Sequence, residues 1–409
     1  MAREIAFVET NSAGTGVLAM RCAKRLGFRT HFLTRDPERY RTAMLNPIDE
    51  ADDVTTVDTM DFVSLVRCLV DRDVAGVIAC DDFRLLPAAG TALALGIGSV
   101  DRVRGLANAR FKDRCRALVN PVSHPVRFAS VHVSTTAGSP IGYPCVVKPV
   151  DESGSFAVVL CRDDADYAAA VARIRAHRTH GTGYALSEHV LVEEFIAGPE
   201  YSAELVWLTA TASWQLIGFT KKIVTEPPNH VEIGHVFPHV FGSGIDARIG
   251  NRIVDCVRSI GLVETAAHVE FKLVGGEPAI IEINPRLGGD QIVDLVQLAT
   301  GVDLVEHFVA AHTGVELPSP GADDPARYAA IAFLTTPAEG TVEAVRDPAD
   351  GVAERLYVKP LPMTVRGLRS SDDRLGFAIA TAASPVAALA NAQARVDAVE
   401  IRLAPAGVS

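Results

Sequence analysis

The 409-residue chain lacks the marks of several protein classes. Its seven cysteines, at 22, 68, 80, 115, 145, 161 and 256, form no CxxC pair, which argues against a zinc site or a disulfide framework. There is no uninterrupted apolar run of about 18 residues, so no membrane span is expected. The opening MAREIAFVET passes into a strand pattern without an apolar signal core, and a reducing cytoplasm is the expected location. Positive charge is scarce: 39 Lys and Arg stand against 50 Asp and Glu, with net charge −11 and pI ≈ 5.6. That balance speaks against a nucleic-acid surface. An acidic chain that handles phosphates must concentrate its few cations locally, so single lysines and arginines become informative. Internal repeats and low-complexity segments are also missing. What remains is 48% hydrophobic and 22% charged, the make-up of a globular enzyme. The length fits two to four domains at roughly 150 residues each.

The most informative stretch is His268 to Asp290, HVEFKLVGGEPAIIEINPRLGGD. It reads as two strands and a tight turn. A period of two puts His268, Glu270 and Lys272 on one face, and Val269, Phe271 and Leu273 on the other. In the second strand it groups Ile280, Glu282 and Asn284 against Ile281 and Ile283. A three-residue loop, Gly275-Gly276-Glu277, then sets Glu270 opposite Glu282, whereas a two-residue loop sets it opposite Ile281. The three-residue loop is the expectation. Facing carboxylates about 5 Å apart repel. A hard cation reverses the sign, and two carboxylates with the amide oxygen of Asn284 suit Mg²⁺. Arg286 adds a planar fork for phosphoryl oxygens, and Gly288 and Gly289 bring bare backbone close. A solvated hairpin is the plain alternative for any one of these residues taken alone.

Upstream, Ile5–Glu9, Arg29–Leu33 and Gly76–Ala79 read as strands, alternating with helices Val17–Leu26, Asp61–Arg72 and Leu85–Leu95. This is an open parallel sheet whose ligands sit at carboxyl strand ends, where Asp81-Asp82 lies. Gly14-x-Gly16-x-x-Ala19, with Asp36 about 20 residues on, is similar to a dinucleotide fingerprint and keeps an NAD(P)-dependent dehydrogenase as a rival. A helix over Arg102–Leu118 carries Lys112. In YPCVVKP, Lys148 interrupts an apolar strand, and lysine is rarely buried without an anion. The loop Ser153-Gly154-Ser155 can close over phosphates, before a strand over Phe156–Leu160. LVEEFI, then Glu200, continue into strands Tyr201–Trp207 and Trp214–Lys222. In EPPNHVEIGHVFPH, the residues Glu232, His235 and His239 lack a metal-ligand spacing, and no second metal is expected there. Glu232, with His235 beside it, is the candidate partner for a substrate ammonium. Trp207 and Trp214 read as packing residues. A helix Val302–His312 leads to a Pro- and Gly-rich linker, Leu317–Pro325. The rest, with strands Ala329–Leu334, Arg355–Val358 and Gly376–Ala382 and helix Pro385–Arg395, reads as a cap without a catalytic cluster.

Lys148, the small-residue loop, LVEEFIAGPEYSAE and VEFK…IIEINPRLGGD, in this order, resemble the ATP-grasp superfamily, and in particular L-amino-acid ligases and related carboxylate–amine ligases. The resemblance implies an α/β protein with the ATP-grasp fold. Its parts would be a Rossmann-like N-terminal open parallel-sheet domain (1–100), a linker helix and lid (101–195), a mixed-sheet core with the metal site (196–315) and a small α+β C-terminal subdomain (316–409). It implies ATP with Mg²⁺, or Mn²⁺ in its place. Lys112 and Lys148 would hold the α- and β-phosphates, with Ser153 and Ser155 in the closing loop. Glu193 would accept from the adenine amino group, the backbone at Glu194 and Ile196 would read the adenine edge, and Glu200 would bind the ribose. Lys222 would approach the γ-phosphate. Glu270, Glu282 and Asn284 would hold the metal. Arg286 would stabilise the transferred phosphoryl group and the tetrahedral intermediate, with N–H groups from Gly288-Gly289. The implied reaction joins a small carboxylate to an amine through an acyl phosphate, releasing ADP and phosphate, with no nucleic acid or membrane partner and a homodimer left open. A non-catalytic ATP-binding protein of this fold is the second rival. One departure stands out: family lids often carry a second glycine after SGS, where this chain has Phe156-Ala157.

Overall fold

The computed structural model describes residues 3–11, 14–135, 137–225, 231–321, 327–347 and 354–404. Parts of four segments read above therefore lie outside the described residues: 1–2 of MAREIAFVET, 12–13 of the glycine loop, 226–230 of EPPNHVEIGHVFPH and 322–325 of the linker.

The N-terminal sheet is parallel, in the order Asp53–Thr56, Arg29–Thr34, Glu4–Val8, Val74–Ile78. Asp53–Thr56 was not anticipated, since four residues of mixed exposure carry almost no periodic signal. Along Glu4–Val8, Ile5 and Phe7 enter one core while Ala6 and Val8 enter the other. Both faces are thus covered, as a parallel sheet demands. The order reverses between Glu4–Val8 and Val74–Ile78, so a crevice opens beyond their carboxyl ends.

The second sheet has eight strands: Glu277–Asn284, Ala266–Val274, Glu200–Leu208, Ser213–Val224, Glu232–His239, Tyr328–Leu334, Gly376–Ala382 and Arg355–Val358. Every pairing in it is antiparallel, so the mixing of strand directions lies between sheets and not within this core sheet. Helix Ile245–Ser259 buries Ile249, Ile253 and Val257 against Phe219, Phe271 and Ile280 on one side of the sheet. Trp207 and Trp214 meet edge to face at 5.5 Å in this region, as packing residues do. Strands 328–334, 355–358 and 376–382 prolong the core sheet, and a three-stranded sheet with helix Pro385–Asp397 completes the C-terminal part. The lid is a four-stranded antiparallel sheet, Phe128–His132, His189–Glu194, Cys145–Pro149 and Val159–Cys161, under helix Asp164–Ala176.

Several expectations need correction. The helix over Arg102–Leu118 is two helices, Val100–Arg110 and Lys112–Val119, because Phe111 takes extended backbone (φ −93°, ψ 104°). Lys112 therefore starts a helix, with its N–H on the Val150 carbonyl at 2.9 Å. The strand expected over Phe156–Leu160 begins only at Val159. Gly154, Ser155 and Ala157 all have positive φ (65°, 58° and 56°), which breaks the extended run. Ala157 occupies a left-handed position where glycine is the easier residue, and its methyl packs into the lid core. No described helix is long and apolar enough to cross a membrane.

Candidate active site

The hairpin turn contains two residues, not three. Val274 pairs with Glu277, and Gly275 and Gly276 between them have φ of 60° and 85°. A type I′ hairpin turn needs positive φ at both central residues, and two glycines supply it. By itself this turn would set Glu270 against Ile281. A β-bulge restores the pairing: Phe271 faces Ile280 while Glu270 faces Glu282, so Ile281 is the extra residue. Ile280 consequently turns into the same core as Ile283, not onto the face of Glu282, and Ile281 packs in a separate cluster with Val126 and Ile196. A second bulge does similar work in Glu232–His239. Ile223 faces Gly234 and Val224 faces Glu232, so Ile233 is skipped. Glu232 and His235, an odd number of residues apart, come to offer donor atoms within 4.8 Å of each other.

Around Glu270 and Glu282 the chain gathers two of its lysines. Lys112 Nζ lies 2.9 Å from Glu282, and Lys222 Nζ lies 3.2 Å from Glu270, 2.7 Å from Glu200 and 2.6 Å from Glu232. Burial pushes Lys222 down, but Glu270, Glu232 and Glu200 together outweigh it and hold the ammonium well above the usual lysine range. Burial likewise raises Glu270, yet Lys222 and His268 leave it well below the usual carboxylate range. Asn284 is buried, and among the described residues its amide has no hydrogen-bond partner. Two carboxylates on facing residues and an uncommitted amide oxygen fit a hard divalent ion.

His268 lies beneath, with Nδ1 2.9 Å from Glu204 and Nε2 3.3 Å from Glu270. Gly288 crosses directly over this pair. A methyl there would meet His268 Nδ1 at 2.9 Å and Glu204 Oε2 at 3.3 Å, whereas one at Gly289 would meet nothing within 4 Å. Close approach is therefore a steric reason for the first glycine, separate from any N–H donation. Arg286 puts Nε and Nη2 each 2.8 Å from the two oxygens of Asp82, at the end of the Val74–Ile78 strand. Sequence reasoning noted Asp82 only as a strand-end residue, because 204 positions separate the partners.

Lys148 and Glu193 sit on adjacent lid strands, 2.6 Å apart. Arg116 Nε reaches the other Glu193 oxygen at 2.5 Å, and Arg116 also donates to the Ile280 carbonyl. Both oxygens of Glu193 are thus engaged by cations, and the carboxylate anchors Lys148. Glu194 pairs with Arg127 at 2.9 Å, and the Ile196 carbonyl accepts from Lys272 at 3.2 Å. Among the described residues the Ile196 N–H has no acceptor. Ser153 and Ser155 lie in the left-handed lid loop, beside buried Glu152, whose side chain meets His177 at 3.1 Å and whose carbonyl accepts from Lys112.

Glu232, His235 and Asp290 are the tightest group of potential ligands among the described residues. Cations already balance them: Lys222 on Glu232, and Arg374 on Asp290 through two bonds of 2.8 and 2.7 Å, with His235 Nε2 at 3.1 Å. Arg374 comes from the part read as an inert cap, so that part reaches the site. His239 lies apart, stacked on Tyr201.

Residues 141–294 match the family described as ATP-grasp domain. The chain carries an ATP-grasp domain. Residues 332–404, which follow it, match L-amino acid ligase C-terminal domain 2. The molecule has the ATP-grasp fold throughout: it superposes on an L-amino acid ligase from Bacillus licheniformis with a TM-score of 0.82, at 20% identity, over 98% of this chain and 99% of that one. Among curated sequences, the uncharacterized protein y4rH of Sinorhizobium fredii is 31% identical over 276 residues, 65% of this chain and 54% of that protein. Carnosine synthase 1 of Gallus gallus is 27% identical over 176 residues, 41% of this chain and 18% of the synthase. The chain thus spans about half or less of the length of these curated relatives.

Proposed function

We propose that this chain is an ATP-dependent carboxylate–amine ligase, releasing ADP and phosphate, with an amino acid as a substrate. The carrying observation is the facing pair Glu270 and Glu282, with Asn284 beside them and Lys112, Lys222 and Arg286 gathered round. The L-amino acid ligase match over 332–404 and the carnosine synthase likeness support this class.

A carboxylate resists attack by an amine because hydroxide leaves poorly; transfer of the γ-phosphoryl group makes an acyl phosphate whose phosphate leaves readily. The protein's task is to position and neutralise. Lys112 and Lys148 would take the α- and β-phosphates and Lys222 the γ-phosphate, with Lys112 and Lys222 each exchanging a protein carboxylate for a phosphate oxygen. Glu193 holds Lys148 in place for this. The Ile196 N–H and the Glu194 backbone would read the adenine edge, and Glu200, released by Lys222, would bind the ribose. Mg²⁺ or Mn²⁺ held by Glu270, Glu282 and Asn284 would neutralise triphosphate charge. Arg286 would meet the transferred phosphoryl group, and Gly288-Gly289 would bring N–H groups near it. Glu232, which already binds one ammonium, that of Lys222, would bind that of the substrate, with His235 adjacent. Ser153, Ser155 and the lid would keep water from the acyl phosphate.

The test is release of ADP and phosphate from Mg-ATP with pairs of amino acids, with the amide product followed by mass. Nucleotide binding without turnover on any pair would favour a non-catalytic ATP-binding protein, and NAD(P) reduction would favour a dehydrogenase.

A further inference from the structure

A guanidinium has five N–H donors in one plane. In Arg286, Nε and Nη2 donate to Asp82, and Nη1 donates to the Leu287 carbonyl at 3.0 Å. Asp82 therefore occupies the side edge of the fork. Two donors remain, one on Nη1 and one on Nη2, and these two nitrogens form the end of the fork that Asp82 leaves open. Two parallel N–H groups match two oxygens of one oxyanion.

Asp82 is itself held. Asp81 Oδ1 accepts from the N–H groups of Phe83 (3.0 Å) and Arg84 (3.1 Å), which fixes the turn carrying Asp82. Phe83 stacks on His180 of the lid at 4.0 Å, with Arg110 over its ring at 4.8 Å. The carboxylate stands at the crevice where the N-terminal strand order reverses. Burial favours its neutral form, but Arg286, then Arg110 and Lys112, outweigh this and hold its pKa down to about 2. It is thus a permanent anion on a rigid support.

We propose that Asp82 is a positioning residue: it presets Arg286 as an end-on, two-donor fork for the oxygens of the phosphoryl group in transfer. This rests on the ligase reading above and makes the N-terminal domain part of the reacting centre. Losing the preset allows the arginine more orientations, which costs the step in which both donors must be aligned and leaves nucleotide binding alone.

The experiment compares Asp82→Asn, Arg286→Met and the double variant. It measures ADP release under conditions that support wild-type turnover, thermal melting, and calorimetric binding of MgADP and of orthovanadate to the MgADP complex. Asp82→Asn should lower kcat about tenfold to a hundredfold while the KM for Mg-ATP and the MgADP affinity stay within about threefold. It should weaken orthovanadate about tenfold, and should add no loss in the Arg286→Met background. An equal loss in both backgrounds, or vanadate affinity indifferent to Asp82, overturns the assignment. If Asp82→Asn fails to fold, Asp82→Glu keeps the charge and displaces the carboxylate. Weaker vanadate binding at an unchanged melting temperature then supports the role, and unchanged vanadate binding overturns it. Wild-type protein that binds no MgADP would instead overturn the ligase reading.

Discussion

Glu9 and Glu282 both end up beside the crevice of this molecule, and their surroundings differ in kind. Glu9, 2% exposed at the end of the first strand, accepts from the hydroxyls of Thr34, Thr59 and Tyr40 and from the Arg35 N–H. Its donors are short, fixed and mostly uncharged, and they close the carboxyl ends of the N-terminal strands. Asp36, the acid that made a dinucleotide site plausible, instead caps the 3-10 turn Pro37–Tyr40. Glu282 has one lysine on a long stem and a like charge opposite. A carboxylate saturated by short neutral donors is finished structure. One balanced only by a displaceable lysine is poised to exchange that lysine for another cation. On the proposed reading, the same residue type stabilises in one region and binds in the other.

The largest expected effect tests the binding half of this contrast. Glu282→Gln keeps the side-chain volume, so melting should barely change, while Mg-dependent turnover should fall by orders of magnitude because one hard anionic ligand is lost. Turnover near wild type at moderate Mg²⁺ would break the comparison.

The same exchange at Glu9 should do the reverse. Glu9→Gln turns an amide NH₂ toward groups that need an acceptor, at a cost of about 1–3 kcal/mol of stability. Denaturant unfolding would show the loss, and turnover per folded molecule should stay near wild type. A stable variant without activity would move Glu9 into the functional site.

A smaller and graded effect comes from His268, which lies between the two kinds. Burial pulls its imidazole down, but Glu204 and then Glu270 outweigh this and raise it to about 10. A raised histidine contributes stability in full below its unfolded value near 6.5 and loses that contribution as pH climbs through the folded value. Wild-type protein should therefore be more stable than His268→Gln near neutrality, with the gap narrowing from about pH 7 to 10. Melting temperatures of both proteins across that range check this, and a gap that widens with pH would reverse the sign.

Much of this was legible in the residues. The alternation of Glu4–Val8, Val74–Ile78 and the intervening helices specified a parallel sheet, because strand and helix periods differ. The acid-rich hairpin, Lys148 before a proline, and Arg286 with its glycines are local strings, and their chemistry is local. Glu270 and Glu282 were matched correctly through the wrong loop: the turn is one residue shorter and a bulge returns the missing residue. A bulge leaves no periodic mark, so Ile280 was placed on the wrong face for the same reason.

Tertiary structure alone decided the partners. Arg116 on Glu193, Asp82 on Arg286 and Arg374 on Asp290 join residues 77, 204 and 84 positions apart. A sequence states which side chains carry charge, and within one strand or helix it states which face they share, since backbone geometry repeats over a few residues. Which opposite charges meet depends on where separate elements dock, and docking is driven mainly by apolar burial, which is not directional. The residue types of this site were therefore settled by the sequence, whereas their pairing, and with it the orientation of Arg286, was settled by packing.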